Sequence, residues 1–398
     1  MKNKWYRIIV MTVSIMMAIT VFMSCTDAPS ASSDAVTEKP SSEATVASEA
    51  AASQTAEELT KVNVGMTPYS MYAIWAIAKD LGIDKEYGLD IELFDFAGTA
   101  QGAQACVRGD VDITASCVAE HLTSIVGAPN LVNFMPVGYF KGFFYVGRAS
   151  DIEPWDDLVN EMGLDAAKEA RRNEFKGKAF CIIPQRKSLI LDTLAQVGLT
   201  EDDVTLVNFA DDQKAATAFL AGEGDFYIGS LPQQRTLLKD EQFVNAGGSD
   251  ILGPAGLWYD TMMTTDEYLN SNQDTALKLL AVFYSTVNEF DKNPDKVAEV
   301  AAAYLSKATG SDFAKDEWLE MQTKFDDFQS LEEAQAGFYN KTSDLYWGNS
   351  VQYQIDLQTA DGTLPAGVSG EQYYGGSEKL FNALLANQQL VDQINSHK

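Results

Sequence analysis

One order of elements occurs twice in the 398-residue chain, once over residues 62–117 and again over residues 179–229. Each copy reads as strand, helix, strand, helix, strand, because short apolar runs alternate with segments of helical periodicity. The second helix of each copy ends at a Gly-acid-x-Asp sequence, at residues 109–112 and 222–225. Parallel strands need crossover connections, and such units are right-handed. We therefore expect two similar α/β lobes, each with a mostly parallel sheet flanked by helices.

The periodicity also predicts where the elements lie. The expected strands are 62–66, 89–94 and 113–116 in the first copy, and 179–183, 204–207 and 226–229 in the second. Ligands of open parallel sheets bind beyond the carboxyl ends of the strands. Two such edges facing each other form a cleft, so we expect a binding site between the lobes. The Gly-acid-x-Asp turns lie at the opposite edge and should be structural.

The residues after the expected strand ends are the candidate ligand contacts. They are Thr67, Tyr69, Ser70, Met71, Gly98, Thr99, Ser116, Tyr139, Gln185, Arg186, Ser188, Ser230 and Trp258. Helix starts with hydroxyl groups can bind an anion through backbone N–H groups. Thr99 and Ser188 fit equally well as helix caps.

The chemistry of these candidates leaves two kinds of solute open. Arg186, with Lys187 beside it, favours an anion such as a sulfonate. Tyr69, Tyr139 and Trp258 favour a flat ring held by stacking. Either organic solute is favoured over an inorganic ion such as nitrate. An inorganic ion would leave so many aromatic residues without a role.

The amino terminus predicts export. Basic residues precede an apolar run at 8–22, which is the layout of a secretory signal. A small residue, Ser24, directly precedes Cys25, and this resembles the lipobox of bacterial lipoproteins, although Phe22 stands where Leu is usual. We expect a signal peptide at 1–25 with lipidation at Cys25. The alternative is a plain secretory signal with an incidental cysteine.

The next segment predicts a tether. Residues 26–60 are rich in Ser, Ala, Thr and Glu and contain no aromatic residue, so they cannot bury enough apolar surface to offset chain entropy. A lipid-anchored domain on such a tether belongs on the extracytoplasmic face of a bacterial cell membrane.

The remaining chain divides at two expected crossings between the lobes. The first part of lobe I should be 61–147, lobe II 148–255, and a return to lobe I with C-terminal helices 256–398. The aromatic residues Trp318, Phe325 and Phe338 of that helical region are expected in its core.

Charge and cysteine content exclude several function classes. The net charge of −28 argues against nucleic acid as a partner. Cys106, Cys117 and Cys181 form an odd set with no metal-binding or nucleophilic motif, and we expect buried free thiols, with a Cys106–Cys117 bridge left open. No Gly-rich phosphate loop or metal-ligand spacing is present, so we expect no cofactor and no metal.

Together these segments resemble a known family, the ABC-transporter substrate-binding lipoproteins of the nitrate, sulfonate, taurine and thiamine-precursor type. The resemblance implies the type II periplasmic-binding fold and covers residues 61–385, with a departure in the long segment 159–175. It rests on residues 64–68, 87–92, 98–109 with Asp112, 176–178, 222–225 and 293–295.

The resemblance implies that a small solute is captured between the lobes and delivered to an ABC permease with its ATPase subunits. We expect a monomer. One alternative is a ligand sensor without transport. A second is an enzyme of the same fold that acts on a pyrimidine or a menaquinone precursor, since fold does not fix function.

Overall fold

The computed structural model describes residues 59–252 and 256–398. The expected signal peptide, Cys25 and the tether up to residue 58 lie outside these ranges. Within them, no helix combines the length and the apolar character needed to cross a membrane.

The first sheet has six strands in the order β11-β4-β10-β3-β1-β2. Its strands are β1 (Thr60–Met66), β2 (Leu89–Asp95), β3 (Ile113–Cys117), β4 (Leu131–Phe140), β10 (Trp258–Thr265) and β11 (Asp326–Phe328). The duplicated part, β2-β1-β3, is parallel. Strands β4, β10 and β11 pair antiparallel at the other side.

The second sheet has five strands in the order β7-β6-β8-β5-β9. Its strands are β5 (Tyr145–Arg148), β6 (Ala179–Ile182), β7 (Thr205–Asn208), β8 (Phe226–Tyr227) and β9 (Phe243–Gly247). Here too the duplicated part, β7-β6-β8, is parallel, and β5 pairs antiparallel with β8 and β9.

The prediction of two α/β lobes is confirmed, but the sheets are mixed rather than mostly parallel. The parallel pairs are confined to the two repeated units. Strands β5, β10 and β11 run against the repeat strands. Strands β4 and β9 have the same direction as the repeat strands, and each pairs with one of these opposed strands.

Eighteen helices cover these sheets in the described residues. They are α1 (Ala73–Leu81), α2 (Ile83–Glu86), α3 (Thr99–Arg108), α4 (Val118–Ile125), α5 (Trp155–Met162), α6 (Leu164–Phe175), α7 (Lys187–Gln196), α8 (Asp212–Leu220), α9 (Leu231–Leu238), α10 (Ser249–Leu252), α11 (Asp266–Ser271), α12 (Gln273–Lys292), α13 (Pro294–Thr309), α14 (Lys315–Lys324), α15 (Leu331–Ala336), α16 (Trp347–Ala360), α17 (Gly370–Ala386) and α18 (Gln388–Asn395). Short 3-10 helices occur at Ser70–Tyr72, Pro184–Arg186 and Glu201–Asp203.

The two repeated turns have the same structural role. Gly109 and Gly222 end α3 and α8 with positive φ angles of 78° and 97°, a conformation that glycine adopts without strain. The carboxylate of Asp112 then accepts the Asn63 N–H of β1 at 2.7 Å. The carboxylate of Asp225 accepts the Ala179 N–H of β6 at 2.8 Å. Each aspartate therefore ties the third strand of its repeat to the first.

Each lobe has its own aromatic core. In lobe II, Phe175 at the end of α6 meets Tyr145, Phe180 and Phe226 with ring centroids 4.8 to 5.4 Å apart, so the long segment 159–175 is packed on the second sheet. In lobe I, α12 contacts α1, α13, α17 and α18. The C-terminal helices thus extend the lobe I core.

The expected aromatic core of the C-terminal region is largely present. Trp318 and Phe338 are buried, and Phe325 is partly buried against that core. Cys106, Cys117 and Cys181 are buried free thiols, so the Cys106–Cys117 bridge does not form.

Candidate functional site

A buried arginine joins the two lobes. Arg186 ends the short helix that follows β6 in lobe II, and its side chain is 2% exposed. Its Nη1 lies 3.2 Å from Oε1 of Glu120, which is in α4 of lobe I. Its Nη2 lies 3.8 Å from Oδ2 of Asp212, at the start of α8 in lobe II. One guanidinium therefore holds a carboxylate of each lobe.

Aromatic rings surround the same guanidinium. Its central carbon lies 4.7 Å from the ring centroid of Phe143, 4.8 Å from that of Trp258 and 5.8 Å from that of Tyr69. Tyr69 and Trp258 belong to lobe I, and Phe143 lies on the crossing between β4 and β5. Attraction between a cation and ring faces stabilises a desolvated charge, so the rings and carboxylates together form a site for a planar cation, filled by Arg186.

A small cavity lies beside Arg186. It is lined by Tyr69, Ser70, Phe140, Phe143, Arg186, Ser230, Leu231, Pro232, Trp258 and Asp260, which come from both lobes and the crossing. Its volume of about 20 Å³ has room for roughly one or two water molecules. The lobes are therefore in contact around Arg186, whereas a pocket of about 280 Å³ with Tyr69, Asp212 and Ser230 in its lining remains between them.

Further contacts join the lobes at the rim of the cleft. A Cβ added to Gly98 of lobe I would lie only 3.8 Å from the Asp211 side chain of lobe II. On another side, Arg235 at the end of α9 pairs with Glu320 of α14 at 2.5 Å. These rim groups are partly exposed, so the pair contributes less than the buried pair at Arg186.

The charges in the cleft influence one another strongly. Burial raises the pKa of Glu120 and of Asp212, and the Arg186 guanidinium opposes this increase in both. Burial by itself would lower the pKa of Arg186, but the surrounding carboxylates outweigh it and raise that pKa. Arg186 therefore stays charged, and its charge is already neutralised within the protein.

Asp260 is a third buried acid of the cleft, and it lines the cavity itself. Burial raises its pKa well above the usual value, and the nearby Asp326 and Glu120 raise it further. Asp260 Oδ1 lies 3.1 Å from the hydroxyl of Tyr72, which also bonds to the carbonyl oxygen of Ser116. Behind it, burial raises the pKa of Asp326 to about 7.

Several of the residues predicted from the sequence line the cavity. They are Tyr69, Ser70, Arg186, Ser230 and Trp258.

Others are buried close by without lining it. Thr67, Thr99 and Ser116 are buried in lobe I, and Ser188 is buried in lobe II. The capping alternative for Thr99 and Ser188 is wrong, because the residues at the N-cap positions are Gly98 and Arg186 and neither helix has a side-chain cap.

Three predicted residues point elsewhere. Tyr139 donates a hydrogen bond to Asp327 and contacts Phe338, because side chains alternate across a strand and Phe140 is the residue on the cavity side. Met71 is fully buried in the core. Gln185 lines a separate groove beside α3 and α4.

Sequence reasoning missed five residues of the lining. They are Phe140, Phe143, Leu231, Pro232 and Asp260. Asp260 carried a usable signal, because it is a lone acid inside the apolar run that became β10. The others have no signal in the sequence, since their position depends on how the lobes meet.

Comparisons with known proteins agree with this architecture. A family model described as NMT1-like matches residues 55–128, and another described as NMT1/THI5 like matches residues 167–297. Over these two segments the chain is similar to the NMT1/THI5-like proteins, which matches the type of protein that the sequence resembles.

A curated relative and two solved structures give the same result. The putative binding protein YtlA of Bacillus subtilis is 26% identical over 245 residues, covering 59% of this chain and 67% of that protein. The aliphatic sulphonate binding protein SsuA of Escherichia coli has 16% identity and a TM-score of 0.57, with 79% of this chain and 91% of that chain covered. The nitrate-binding protein NrtA of Synechocystis has 15% identity and a TM-score of 0.59, with 85% and 91% covered.

These solved structures establish a periplasmic-binding-protein fold with two lobes. All three proteins are described as binding proteins.

Proposed function

We propose that this protein is the extracytoplasmic solute-binding component of an ABC importer and that it holds a small organic solute between its lobes. The single observation that carries the proposal is the cavity at Arg186, because its wall is built from both lobes. A solute there gains its full set of contacts only when the lobes are closed. Such a solute shifts the equilibrium between open and closed states by its difference in affinity for the two.

The lining favours a ring-bearing compound, such as a pyrimidine, over a sulfonate-like one. A sulfonate needs a free cationic partner, and the charge of Arg186 is taken by Glu120 and Asp212. The rings of Tyr69, Phe143 and Trp258 instead offer faces for stacking. A ring needs more room than about 20 Å³, so we infer that the lobes open to admit the solute and then close less tightly than in the structure.

The membrane attachment is part of the same proposal. We propose that the signal peptide is cleaved before Cys25, that Cys25 is lipidated as the new amino terminus, and that residues 26–58 tether the lobes to the outer face of the membrane. The permease and ATPase subunits would then receive the solute from the tethered protein. A sensor that passes the signal to a membrane partner without transport is the alternative, and uptake of the solute by cells with and without the protein separates the two.

A thermal-shift screen of the mature domain tests the binding role. The panel contains nitrate, alkanesulfonates, flavins, and pyrimidines and other rings with and without a basic amine, and a binder raises the unfolding midpoint because it favours the folded state. With a hit in hand, Tyr69→Leu should reduce the solute-induced shift, measured against the variant's own midpoint without solute. Tyr139→Leu is the matched control, because Tyr139 lies outside the cavity, and it should keep the shift.

Two results would count against the proposal. A panel without any binder would remove its support. A hit whose shift is lost in Tyr139→Leu and kept in Tyr69→Leu would place the site away from the cleft.

A further inference from the structure

The cleft has more acidic than basic side chains. Glu120, Asp212 and Asp260 are each buried there, and Arg186 is the one basic side chain that lines the cavity among the described residues. Arg186 is paired with Glu120 and Asp212. No ion pair of Asp260 is found in the described ranges, so its carboxyl group faces the cavity without a basic partner.

In the described part of the chain, Asp260 accepts a hydrogen bond from a neutral donor, the Tyr72 hydroxyl, at 3.1 Å from Oδ1. The same hydroxyl also contacts the Ser116 carbonyl oxygen, so its one proton is shared between two acceptors. A charged Asp260 would therefore be poorly stabilised by its surroundings. A neutral Asp260 also avoids an unpaired buried charge.

Two other carboxylate oxygens lie near the cavity. Glu120 Oε2 and Asp212 Oδ1 are buried, and each lacks a hydrogen bond of good geometry within the described residues, although Thr99 and Tyr69 are close to these carboxylates. Oxygen atoms of this kind accept hydrogen bonds from a donor group on a solute. The cleft is thus rich in acceptors, and the aromatic faces beside them attract positive charge.

We propose that the solute is an aromatic ring that carries a cationic nitrogen group, an amine or an amidine, and that Asp260 binds this group while Trp258 and Tyr69 contact the ring. This inference rests on the proposed function and specifies the chemistry of its solute. An anion at the same place would add negative charge among three acids whose single arginine is already paired. A cation instead gives Asp260 the partner it lacks.

The proposal fixes the proton balance of binding. Burial, Asp326 and Glu120 raise the pKa of Asp260, and the titratable groups that face it are Tyr72, Glu120, Arg186 and Asp326. Where Asp260 is protonated before binding, its O–H bond ionises when the cationic group arrives, the proton leaves to solvent, and a carboxylate–cation pair forms. Binding therefore releases up to about one proton per solute molecule at pH values between the pKa of Asp260 without the solute and its lower pKa with the solute.

A set of matched probes tests the charge preference. Benzamidine, benzamide and benzoate share one ring and nearly one shape, but they are cationic, neutral and anionic, and benzenesulfonate adds the sulfonate case. Saturation-transfer NMR and calorimetry measure their binding to the whole mature protein. Calorimetry in buffers of different ionisation enthalpy also counts the protons released. We expect benzamidine to bind most tightly and to release protons.

Variants separate Asp260 from its surroundings. Asp260→Asn keeps the shape of the side chain, and it should weaken benzamidine about tenfold or more, because it removes a charge-assisted hydrogen bond. It should also abolish proton release and leave the affinity for benzamide unchanged. Unchanged benzamide binding would show that the variant is folded and that its cleft is intact. Asp326→Asn is the matched control, a buried acid behind the cavity wall, and it should keep the preference for benzamidine.

The outcomes distinguish this inference from the proposed function. If benzoate or benzenesulfonate binds more tightly than benzamidine, or if Asp260→Asn keeps the preference for benzamidine, the inference of a cationic solute is wrong. The proposed function as a solute-binding protein is not affected by either result. If none of the four probes binds, the charge of the hit from the wider panel decides: a cationic ring supports the inference, and an anion or a neutral ring overturns it. A wider panel without any hit removes the proposed function itself.

Discussion

Replacing Glu120 with glutamine should open the cleft rather than unfold the protein. The change removes the lobe I partner of Arg186 and leaves the guanidinium with Asp212 at 3.8 Å. A buried charge that loses its partner is strongly unfavourable. Because the pair spans the two lobes, opening them returns Arg186 to water. The penalty therefore falls on the closed state, and both lobes can stay folded.

The magnitude follows from the burial of the pair. Arg186 and Glu120 are 2% and 1% exposed, and breaking a pair of this kind costs about 3–5 kcal/mol. If even ~3 kcal/mol acts on the closed state alone, the ratio of closed to open molecules falls by about a hundredfold. Small-angle scattering would report this as a larger radius of gyration. Denaturant unfolding would show a loss of stability well below the full cost of the broken pair.

An intralobe pair provides the control. Arg171 is fully buried in α6 and pairs with Glu174 one turn away, so both partners belong to lobe II. Glu174→Gln should lower the free energy of unfolding and leave the radius of gyration unchanged, because opening the cleft gives Arg171 no relief. High salt should be included, since it screens the exposed rim pair of Arg235 and Glu320 and removes its contribution to closure. The reasoning is refuted if Glu120→Gln keeps the radius of gyration at high salt and loses 3–5 kcal/mol of stability.

Two further predictions concern buried acids elsewhere. Burial raises the pKa of Asp326 from 3.8 to about 7, so the folded state favours the protonated carboxyl group. Its contribution to stability is therefore fully present below pH 3.8, the pKa in the unfolded chain, and is lost as the pH rises to about 7. The stability of Asp326→Asn relative to the parent should therefore increase between pH 4 and pH 8, by up to about 4 kcal/mol. Urea unfolding of both proteins across this range measures the difference. A difference that does not change with pH would contradict the prediction. Asp112→Ala and Asp225→Ala each remove the hydrogen bond that joins the first and third strands of a repeat. Each change should lower the free energy of unfolding by about 1–3 kcal/mol. A large loss at one site and none at the other would show that the two turns are not equivalent.

The repeat was readable from the sequence because its signals are local. The apolar run that became β1 and the glycine that ends α3 each act within a few residues of themselves, through periodicity and a positive φ angle. The strand directions outside the repeats were less accessible. The antiparallel pairing of β10 between β3 and β4 depends on residues more than a hundred positions away, and no local pattern encodes it.

The site was predictable only where chain direction determined it. Tyr69 and Ser230 follow strands of the two repeats, and the rule that ligands meet the carboxyl ends of strands placed both at the cavity. Tyr139 was assigned by the same rule, as the residue after the fourth expected strand, but β4 continues to Phe140, and the alternation of side chains along the strand turns Tyr139 away from the cleft. Phe143 lies on the crossing itself, so its place became visible only with the relative position of the lobes.

Arg186 shows why a residue type alone does not identify a ligand. In the sequence it stands beside Lys187 at a helix start, and that pattern favours an anion. In the structure Lys187 pairs with Glu201 within lobe II, and Arg186 is held by Glu120 from the other lobe. An arginine neutralised by two acids offers little net attraction to an anion, because any new negative charge is also repelled by the carboxylates already there. The acid that remains without a basic partner in the cleft is therefore Asp260, and a solute that supplies a cation there would also favour the closed state that its own ring needs for stacking.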